Sequence, residues 1–269
     1  MSGEPLGQRL AREWEQRARS PYRDFYVASH RGWDDPARWN HQAWVDAGLV
    51  MSRTSHDLAG CIGTVPLGEL DVLEIGCGTG RLAERIAPYV RSYSGCDISQ
   101  AMVDRSRAAG LGNARFVVSD GLSIPTEFAD RRYGLVFSHA VFVHCPRAVV
   151  RALVLAGARL LAKGGQFRSQ FHTEAGDRTP AEFPRPGEIE FFRPVKVVAP
   201  SLPTDGEGPE LRHSVPDAAA DLIYGTLYRG EPMSVDEMRR LLEEAGCSLQ
   251  SRWRIDDTFT YGLGVKGDA

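Results

Sequence analysis

Residues 72–88 read VLEIGCGTGRLAERIAP, where three glycines at alternate positions separate an apolar run from a helical pattern. Gly76, Gly78 and Gly80 carry no Cβ atom, so a turn built from them lets backbone N–H groups approach a ligand at the start of the helix. The dinucleotide-binding fingerprint has the spacing G-x-G-x-x-G, whereas this turn has G-x-G-x-G and follows Glu74. A carboxylate at that place would repel a pyrophosphate. The turn therefore indicates a nucleotide-like ligand and disfavours a nicotinamide dinucleotide.

The turn lies near the start of an alternation of strand and helix patterns that runs from residue 70 to about residue 170. Such alternation is typical of βαβ units, which place parallel strands in one sheet with helices on both faces. The candidate strands are LDVLEIG (70–76), SYSGCDI (92–98), ARFVVSD (114–120), YGLVFSH (133–139) and GQFRSQF (165–171). Helices are expected over residues 81–88, from an N-cap at Ser99 to about Gly110, and over residues 147–163 up to Gly164.

Composition divides the chain around this core, which we assign to residues 66–171. Residues 1–65 contain four of the five tryptophans and look helical, so we expect a packed N-terminal helical cap. Residues 172–231 contain eight of the sixteen prolines, which interrupts the alternation and indicates an inserted lid. Residues 232–269 are expected to complete the core sheet.

In this last segment, Ser234 is a candidate N-cap with acidic residues in the following turn, and Gly246 is the expected end of the helix. Two strand patterns follow, near residues 248–255 and 258–265. They predict an antiparallel hairpin at one edge of the sheet.

Charge and hydropathy exclude several classes of protein. With 32 Lys and Arg against 35 Asp and Glu, the net charge of -3 provides no field that attracts a polyanion, so no nucleic-acid partner is expected. No run of 18 apolar residues is present, and the N-terminus is charged, so we expect no membrane span, no signal peptide and a cytoplasmic protein. The five cysteines include no C-x-x-C pair, which favours reduced thiols and no metal site. The expected assembly is a monomer or a homodimer.

Two acidic residues follow the glycine turn at the ends of the next two candidate strands. Asp97, 21 residues beyond Gly76, could accept hydrogen bonds from both ribose hydroxyls of a nucleoside. Asp120 could accept one from an exocyclic amine such as that of adenine. Both would lie at carboxyl ends of strands, where ligands bind in open α/β sheets.

Together, the stretches VLEIGCGTGRL (72–82), GCDIS (95–99), FVVSDGL (116–122) and YGLVFSHAVFVHCPR (133–147) resemble the class I S-adenosylmethionine-dependent methyltransferases. The resemblance implies an α/β, Rossmann-like fold with a seven-stranded, mostly parallel sheet, and S-adenosyl-L-methionine as cofactor. It also implies roles for individual residues.

By this resemblance, Glu74 and the three glycines would line the methionine moiety, and Asp97 would bind the ribose. Ile98 would pack on the adenine, whose edge Asp120 and the Leu122 backbone would contact, with Gly121 between them. His139 would lie near the methionine carboxyl end. Cys77 lies inside the turn as part of the same cofactor set, and there we expect it to pack as a small apolar residue and not to act as a nucleophile.

Methyl transfer is an in-line displacement, so a general base is needed only where the acceptor carries a proton. His144 is the first candidate for that base, because histidine titrates near neutrality; a packing role in its loop is the alternative. His172, which follows the fifth strand, is the second candidate, with a solvated loop histidine as the alternative.

The stretch SHAV after the fourth strand lacks the [D/N]-P-P-[Y/F] turn of enzymes that methylate DNA bases or glutamine side chains. By analogy, we expect a small-molecule or small-peptide acceptor, in a pathway of specialised metabolism. Two alternatives stay open. The chain could bind the cofactor but catalyse a cyclisation or decarboxylation, or it could be a binding protein without turnover.

Overall fold

The computed structural model describes residues 4–20, 36–52, 54, 56–173, 230–254 and 259–267. Most of the predicted lid of residues 172–231 lies outside the described residues. The helices are α1 (Leu6–Arg19), α2 (Pro36–Met51), α3 (Ala83–Ile86), α4 (Gln100–Ala108), α5 (Arg147–Arg159) and α6 (Val235–Glu244). The strands are β1 (Cys61–Ile62), β2 (Val65–Pro66), β3 (Asp71–Ile75), β4 (Ser92–Asp97), β5 (Ala114–Val118), β6 (Tyr133–Ser138), β7 (Leu161–His172), β8 (Cys247–Arg254) and β9 (Phe259–Lys266).

The described strands form a seven-stranded sheet in the order β5-β4-β3-β6-β7-β9-β8. Strands β3 to β7 pair in parallel, whereas β9 pairs antiparallel with both β7 and β8. The chain runs outward from β3 to β5 and then crosses to β6 on the other side of β3. This arrangement confirms the predicted α/β, Rossmann-like sheet with a C-terminal antiparallel pair.

The central strands are buried on both faces, as expected for a parallel sheet covered by helices. All five residues of β3 and all six of β6 are buried. On one face Ile75 and Phe167 pack with residues of α5 and α6. On the other, Val72 and Leu135 pack with residues of α2 and α3.

Two predicted helix caps are confirmed. The Ser99 side chain accepts a hydrogen bond from the Met102 N–H at the start of α4. Ser234 and Glu237 form a reciprocal capping box at the start of α6. Gly246 ends α6 with φ 74, the left-handed conformation that glycine adopts without strain.

Two predictions about secondary structure were wrong. The helix expected to continue to residue 163 ends at Arg159, and β7 begins at Leu161, because Leu161 pairs with Tyr133 of β6. Residues 61–66 form the β1–β2 ribbon and are not helical, since Gly63 has φ 58 and closes a tight hairpin between the two strands.

Among the described helices, none combines the length and the apolar character needed to cross a membrane.

Candidate active site

A pocket opens at the carboxyl ends of β3, β4 and β6, on both sides of the point where the strand order reverses. This is where open α/β sheets bind their ligands. Residues from the strand ends, the glycine turn and three helices line it: Leu10, Trp14, Glu74, Gly76, Cys77, Gly78, Arg81, Asp97, Ile98, Met102, Ser119, Gly121, His139, Ala140, Val141, Cys145, Val149 and Leu153 among them.

The glycine turn is held by hydrogen bonds to the end of β4. The Gly76 N–H donates to the Cys96 carbonyl over 2.7 Å, and the Gly78 N–H donates to Asp97 Oδ2 over 2.9 Å. Gly76 has φ 81, and a Cβ atom there would lie 2.3 Å from the Val141 side chain. Glycine is therefore required at position 76 for both conformation and space.

Gly80 has a different neighbourhood from the other two glycines. Its φ is also 81, but a Cβ atom there would lie 3.2 Å from Ser106 Cα on α4. It does not line the pocket. Gly80 thus allows close packing of the turn on α4, while Gly76 and Gly78 form the pocket wall.

Asp97 faces the pocket from the end of β4. Its Oδ2 accepts the Gly78 N–H and its Oδ1 accepts the Ser99 N–H, each over 2.9 Å. Burial raises the pKa of Asp97, although these N–H donors oppose the shift. Each carboxylate oxygen keeps acceptor capacity for a ligand hydroxyl. Ile98, next in the chain, adds apolar surface to the pocket.

Glu74 is 2% exposed and lines the pocket. Its Oε2 accepts a hydrogen bond from the Tyr93 hydroxyl. Burial raises the pKa of Glu74 to about 8, against the opposing effects of Tyr93 and Arg81. At neutral pH, without a ligand, this side chain is therefore mostly a neutral carboxylic acid.

Cys77 is buried, and burial raises the pKa of its thiol well above the usual value. Its Sγ contacts the Ser106 hydroxyl at 3.9 Å. A thiol held in the protonated form is a poor nucleophile, which agrees with the packing role expected for this residue.

The turn after β5 reaches the pocket through Ser119 and Gly121 and not through Asp120 or Leu122. Asp120 Oδ1 accepts the N–H groups of Leu122 and Ser123 over 2.8 and 2.7 Å, so this exposed carboxylate stabilises its own turn. Leu122 is 38% exposed. The predicted contact between Asp120 and a ligand therefore requires a ligand long enough to reach past the residues that line the pocket.

His139 lies at the end of β6 and lines the pocket, as predicted, but within a cluster that the sequence did not reveal. Its Nδ1 contacts the Tyr261 hydroxyl, and its Nε2 lies 3.4 Å from Asp46 Oδ2. The same Asp46 oxygen accepts Arg81 Nη1 over 2.5 Å. Burial by itself would raise the pKa of Asp46, but His139 and Arg81 outweigh it and hold that pKa well below its usual value.

The two histidines predicted as bases lie elsewhere. His144 does not line the pocket, and its ring packs 6.0 Å from the ring of Trp14, which does. His172 lies at the end of β7 with its Nδ1 2.9 Å from the Gly230 carbonyl oxygen. That oxygen can only accept, so His172 Nδ1 carries a proton. The N–H of the same Gly230 donates to the carbonyl of Val143, the residue before His144, over 3.0 Å.

Helix α1 forms a wall of the pocket that sequence analysis missed. Leu10 and Trp14 line the pocket, and Glu15 accepts the Ser99 hydroxyl over 2.7 Å and the Ala101 N–H over 3.1 Å. Glu15 thereby fixes α1 to the start of α4. The sequence predicted a packed helical cap in this region, but not the place where α1 contacts the pocket.

Ala140 is the described non-glycine residue with a positive φ, 56, and it lines the pocket directly after His139. Its N–H donates to Gln170 Oε1 over 2.9 Å. Left-handed conformations at residues other than glycine are uncommon and concentrate at functional sites.

Among the residues described, no group of three His, Cys, Asp or Glu side chains has the arrangement of a metal site.

Comparison with known proteins shows what the central part of the chain resembles. The family model for a methyltransferase domain matches residues 72–165. Chondramide synthase cmdD from Chondromyces crocatus is 34% identical over 106 residues, which cover 36% of this chain and 3% of the synthase. The chain thus spans only a small part of the length of that relative.

Solved structures share the fold at low sequence identity. Magnesium protoporphyrin IX methyltransferase (ChlM) from Synechocystis PCC 6803, solved with bound S-adenosylmethionine, has a TM-score of 0.57 at 14% identity, covering 99% of this chain and 100% of that one. The DhpI complex with S-adenosylhomocysteine has a TM-score of 0.56 at 18% identity, covering 100% of both chains. Residues 72–165 therefore match the model of a methyltransferase domain, and the chain shares its Rossmann-like fold with these two structures.

Proposed function

We propose that this chain binds S-adenosyl-L-methionine and transfers its methyl group to an O, N or C nucleophile of a small molecule or small peptide. One observation carries the proposal: Glu74, the Gly76–Gly78 turn and Asp97 meet in one pocket at the point where the strand order reverses. Such a pocket has the polar groups and the apolar wall that an adenosyl amino acid requires.

The residues present fit this cofactor. Asp97 has acceptor capacity for a ribose diol, since backbone donors occupy one site on each of its oxygens. Ile98, Val141 and Leu153 provide an apolar surface suited to adenine. Glu74 can lose its proton when a cationic group approaches, because a nearby positive charge favours the ionised carboxylate.

When bound, S-adenosylmethionine supplies a methyl group activated by a sulfonium. The contribution of the chain is alignment and exclusion of water. Trp14 and Leu10 of α1 line the pocket, and the Glu15 contact with Ser99 holds α1 there.

His144 and His172 remain our proposals for a base where the acceptor carries a proton. The position of His144 supports the first of these proposals, because its ring packs against Trp14, which lines the pocket. For His172, the proton on Nδ1 leaves Nε2 as the acceptor in the neutral ring.

The acceptor class and cellular setting are also proposals. The ChlM methyltransferase is named for a small-molecule acceptor, and the matching synthase for a chondramide product, which supports specialised metabolism. We further propose the boundaries 1–65, 66–171, 172–231 and 232–269, a monomer or homodimer, a cytoplasmic location, and no nucleic-acid partner.

Two measurements test the function. Calorimetry should show binding of S-adenosylhomocysteine that Asp97→Asn weakens by about tenfold or more, the loss expected for charge-assisted hydrogen bonds. Asp104→Asn, an exposed carboxylate on α4, is the matched control. Unchanged affinity in the Asp97 variant would contradict the assignment.

The second measurement follows methyl-labelled S-adenosylmethionine incubated with the protein and a cell extract. Label in an acceptor together with S-adenosylhomocysteine supports methyl transfer. Cofactor binding without labelled product would favour the non-methylating alternative instead.

A further inference from the structure

Gln170 of β7 is a buried polar residue bonded to the pocket wall, and the assignments above give it no role. It is 8% exposed, and its side-chain Oε1 accepts the Ala140 N–H over 2.9 Å. A backbone N–H can only donate, so this bond also fixes which end of the Gln170 amide faces Ala140. Gln170 thereby joins the carboxyl end of β7 to residues 139–146, the β6–α5 loop.

Ala140 has a backbone conformation that is costly for a residue with a Cβ atom. Its φ is 56, in the left-handed region, where the Cβ atom of an L-residue lies too close to the following carbonyl oxygen. Such a conformation persists only where the surrounding contacts impose it. The Gln170 side chain provides one of these contacts, because it offers the Ala140 N–H a fixed acceptor from another strand. Loss of this acceptor should therefore release Ala140 into other conformations.

The conformation of Ala140 sets the position of the next residue, Val141, against the glycine turn. The Val141 side chain fills the space beside Gly76, where an added Cβ atom would lie 2.3 Å from it. The Val141 carbonyl accepts the His144 N–H over 2.9 Å and the Cys145 Sγ–H over 3.3 Å. Ala140, Val141 and Cys145 all line the pocket. A change at Ala140 should therefore displace a whole wall of the pocket.

We propose that Gln170 is a positioning residue of the pocket. It holds Ala140 in the left-handed conformation, so that the β6–α5 loop has one arrangement before the ligand arrives. A wall that is ordered in advance lowers the entropic cost of binding. The inference rests on the proposed function only in taking S-adenosylhomocysteine as the test ligand, because the hold of Gln170 on the loop can be measured without any ligand.

The test uses three variants of the full chain and one control. Gln170→Met removes the amide oxygen at similar side-chain length. Ala140→Gly introduces a residue that adopts positive φ without strain, and the double variant combines the two changes. If Gln170 acts through the conformation of Ala140, the double variant should regain part of what Gln170→Met loses. Ser169→Ala is the control on the same strand, since this buried hydroxyl has no hydrogen-bond partner within the described part of the chain.

The first measurement is amide hydrogen exchange of the β6–α5 loop in the protein without ligand. Gln170→Met should raise the exchange rate of this fragment by about tenfold, since one hydrogen bond of the closed loop is lost. Ser169→Ala should exchange like the natural protein. An increase confined to this loop distinguishes a local release from general loosening of the fold.

The second measurement is the calorimetric affinity for S-adenosylhomocysteine, under conditions where every variant is folded. Gln170→Met should weaken binding by about tenfold, and Ala140→Gly alone by less than about threefold. The double variant should bind about threefold or more tightly than Gln170→Met. A residue that only stabilised the folded chain would leave the affinity of the folded protein unchanged.

Unchanged exchange of the loop in Gln170→Met would overturn the hold of Gln170 on Ala140. Unchanged affinity in Gln170→Met, or equal affinities in Gln170→Met and the double variant, would overturn its role in positioning the pocket. Failure of the natural protein to bind S-adenosylhomocysteine would refute the proposed function instead. The exchange rates would then still decide whether Gln170 holds the loop, which separates the two failures.

Discussion

Glu74 couples the pocket to pH, because burial raises its pKa to about 8 from an ordinary value of 4.5. Between these values the folded state keeps a proton that the unfolded state releases. The free energy of unfolding should therefore fall as pH rises through this window, by on the order of 1 kcal/mol per pH unit. Glu74→Gln stays neutral and can still accept from Tyr93, so the variant should lack this contribution.

Denaturant unfolding of both proteins at several values between pH 5.5 and pH 8 measures the effect. The stability of the natural protein relative to Glu74→Gln should decrease steadily across the range. Glu69→Gln, an exposed carboxylate before β3, is the control that should track the natural protein. Parallel pH profiles for the natural protein and Glu74→Gln would show that Glu74 is ionised in the folded state.

At the scale of residues, the sequence could predict the part of the site that is continuous in the chain. Glu74, Gly76 and Gly78 come from one turn, and the spacing to Asp97 follows from one βαβ unit. Asp46 and Tyr261 could not be predicted, because they reach the site through tertiary packing from segments far away in the sequence.

Helix α6 carries a prediction at the scale of elements. Ser234 Oγ accepts the Glu237 N–H over 3.2 Å, and Glu237 Oε2 accepts the Ser234 N–H over 2.7 Å. Ser234→Ala removes the cap and should lower the free energy of unfolding by about 1 kcal/mol. Ser234→Thr keeps the hydroxyl and should lose much less. Urea denaturation compares the midpoints at constant slope, and equal midpoints for the two variants would contradict the capping role.

The elements themselves could largely be predicted because their signals are local. Caps such as Ser99 and breakers such as Gly246 act within a few residues, and the central strands are long apolar runs. The boundary near residue 160 could not be predicted in this way. There Leu161 pairs with β6, and this tertiary contact overrides a helical pattern that continues locally to residue 163.

At the scale of the whole molecule, the fold class follows from the alternation of strands and helices. Right-handed crossovers and short connections allow only a few ways of ordering such strands in a sheet. The docking of the N-terminal layer does not follow from it. That layer is joined to the sheet by hydrogen bonds between polar groups more than 100 positions apart in the sequence. Because these groups are buried, each of them needs a hydrogen-bond partner within the protein.

The main such connection is Arg168 of β7, which is fully buried. Its Nη1 donates to the carbonyls of Val50 and Ser52, each over 2.8 Å, and its Nη2 donates to Asp57 over 2.8 Å. Burial opposes ionisation of Asp57, but Arg168 and backbone N–H groups lower its pKa. Arg168→Met should therefore cost about 3–5 kcal/mol of unfolding free energy, because it leaves a buried charge unpaired.

Adding Asp57→Asn to Arg168→Met removes that unpaired charge, so the double variant should recover part of the lost stability. Arg159→Met, at the exposed end of α5, should change stability by less than about 0.5 kcal/mol. Unfolding followed by far-ultraviolet circular dichroism and by tryptophan fluorescence should give one coincident transition in the natural protein, because this network joins the tryptophan-rich layer to the sheet. Separate transitions for the two probes would mean that the layer and the sheet unfold independently. A loss below about 1 kcal/mol in Arg168→Met would contradict the stabilising role given to Arg168.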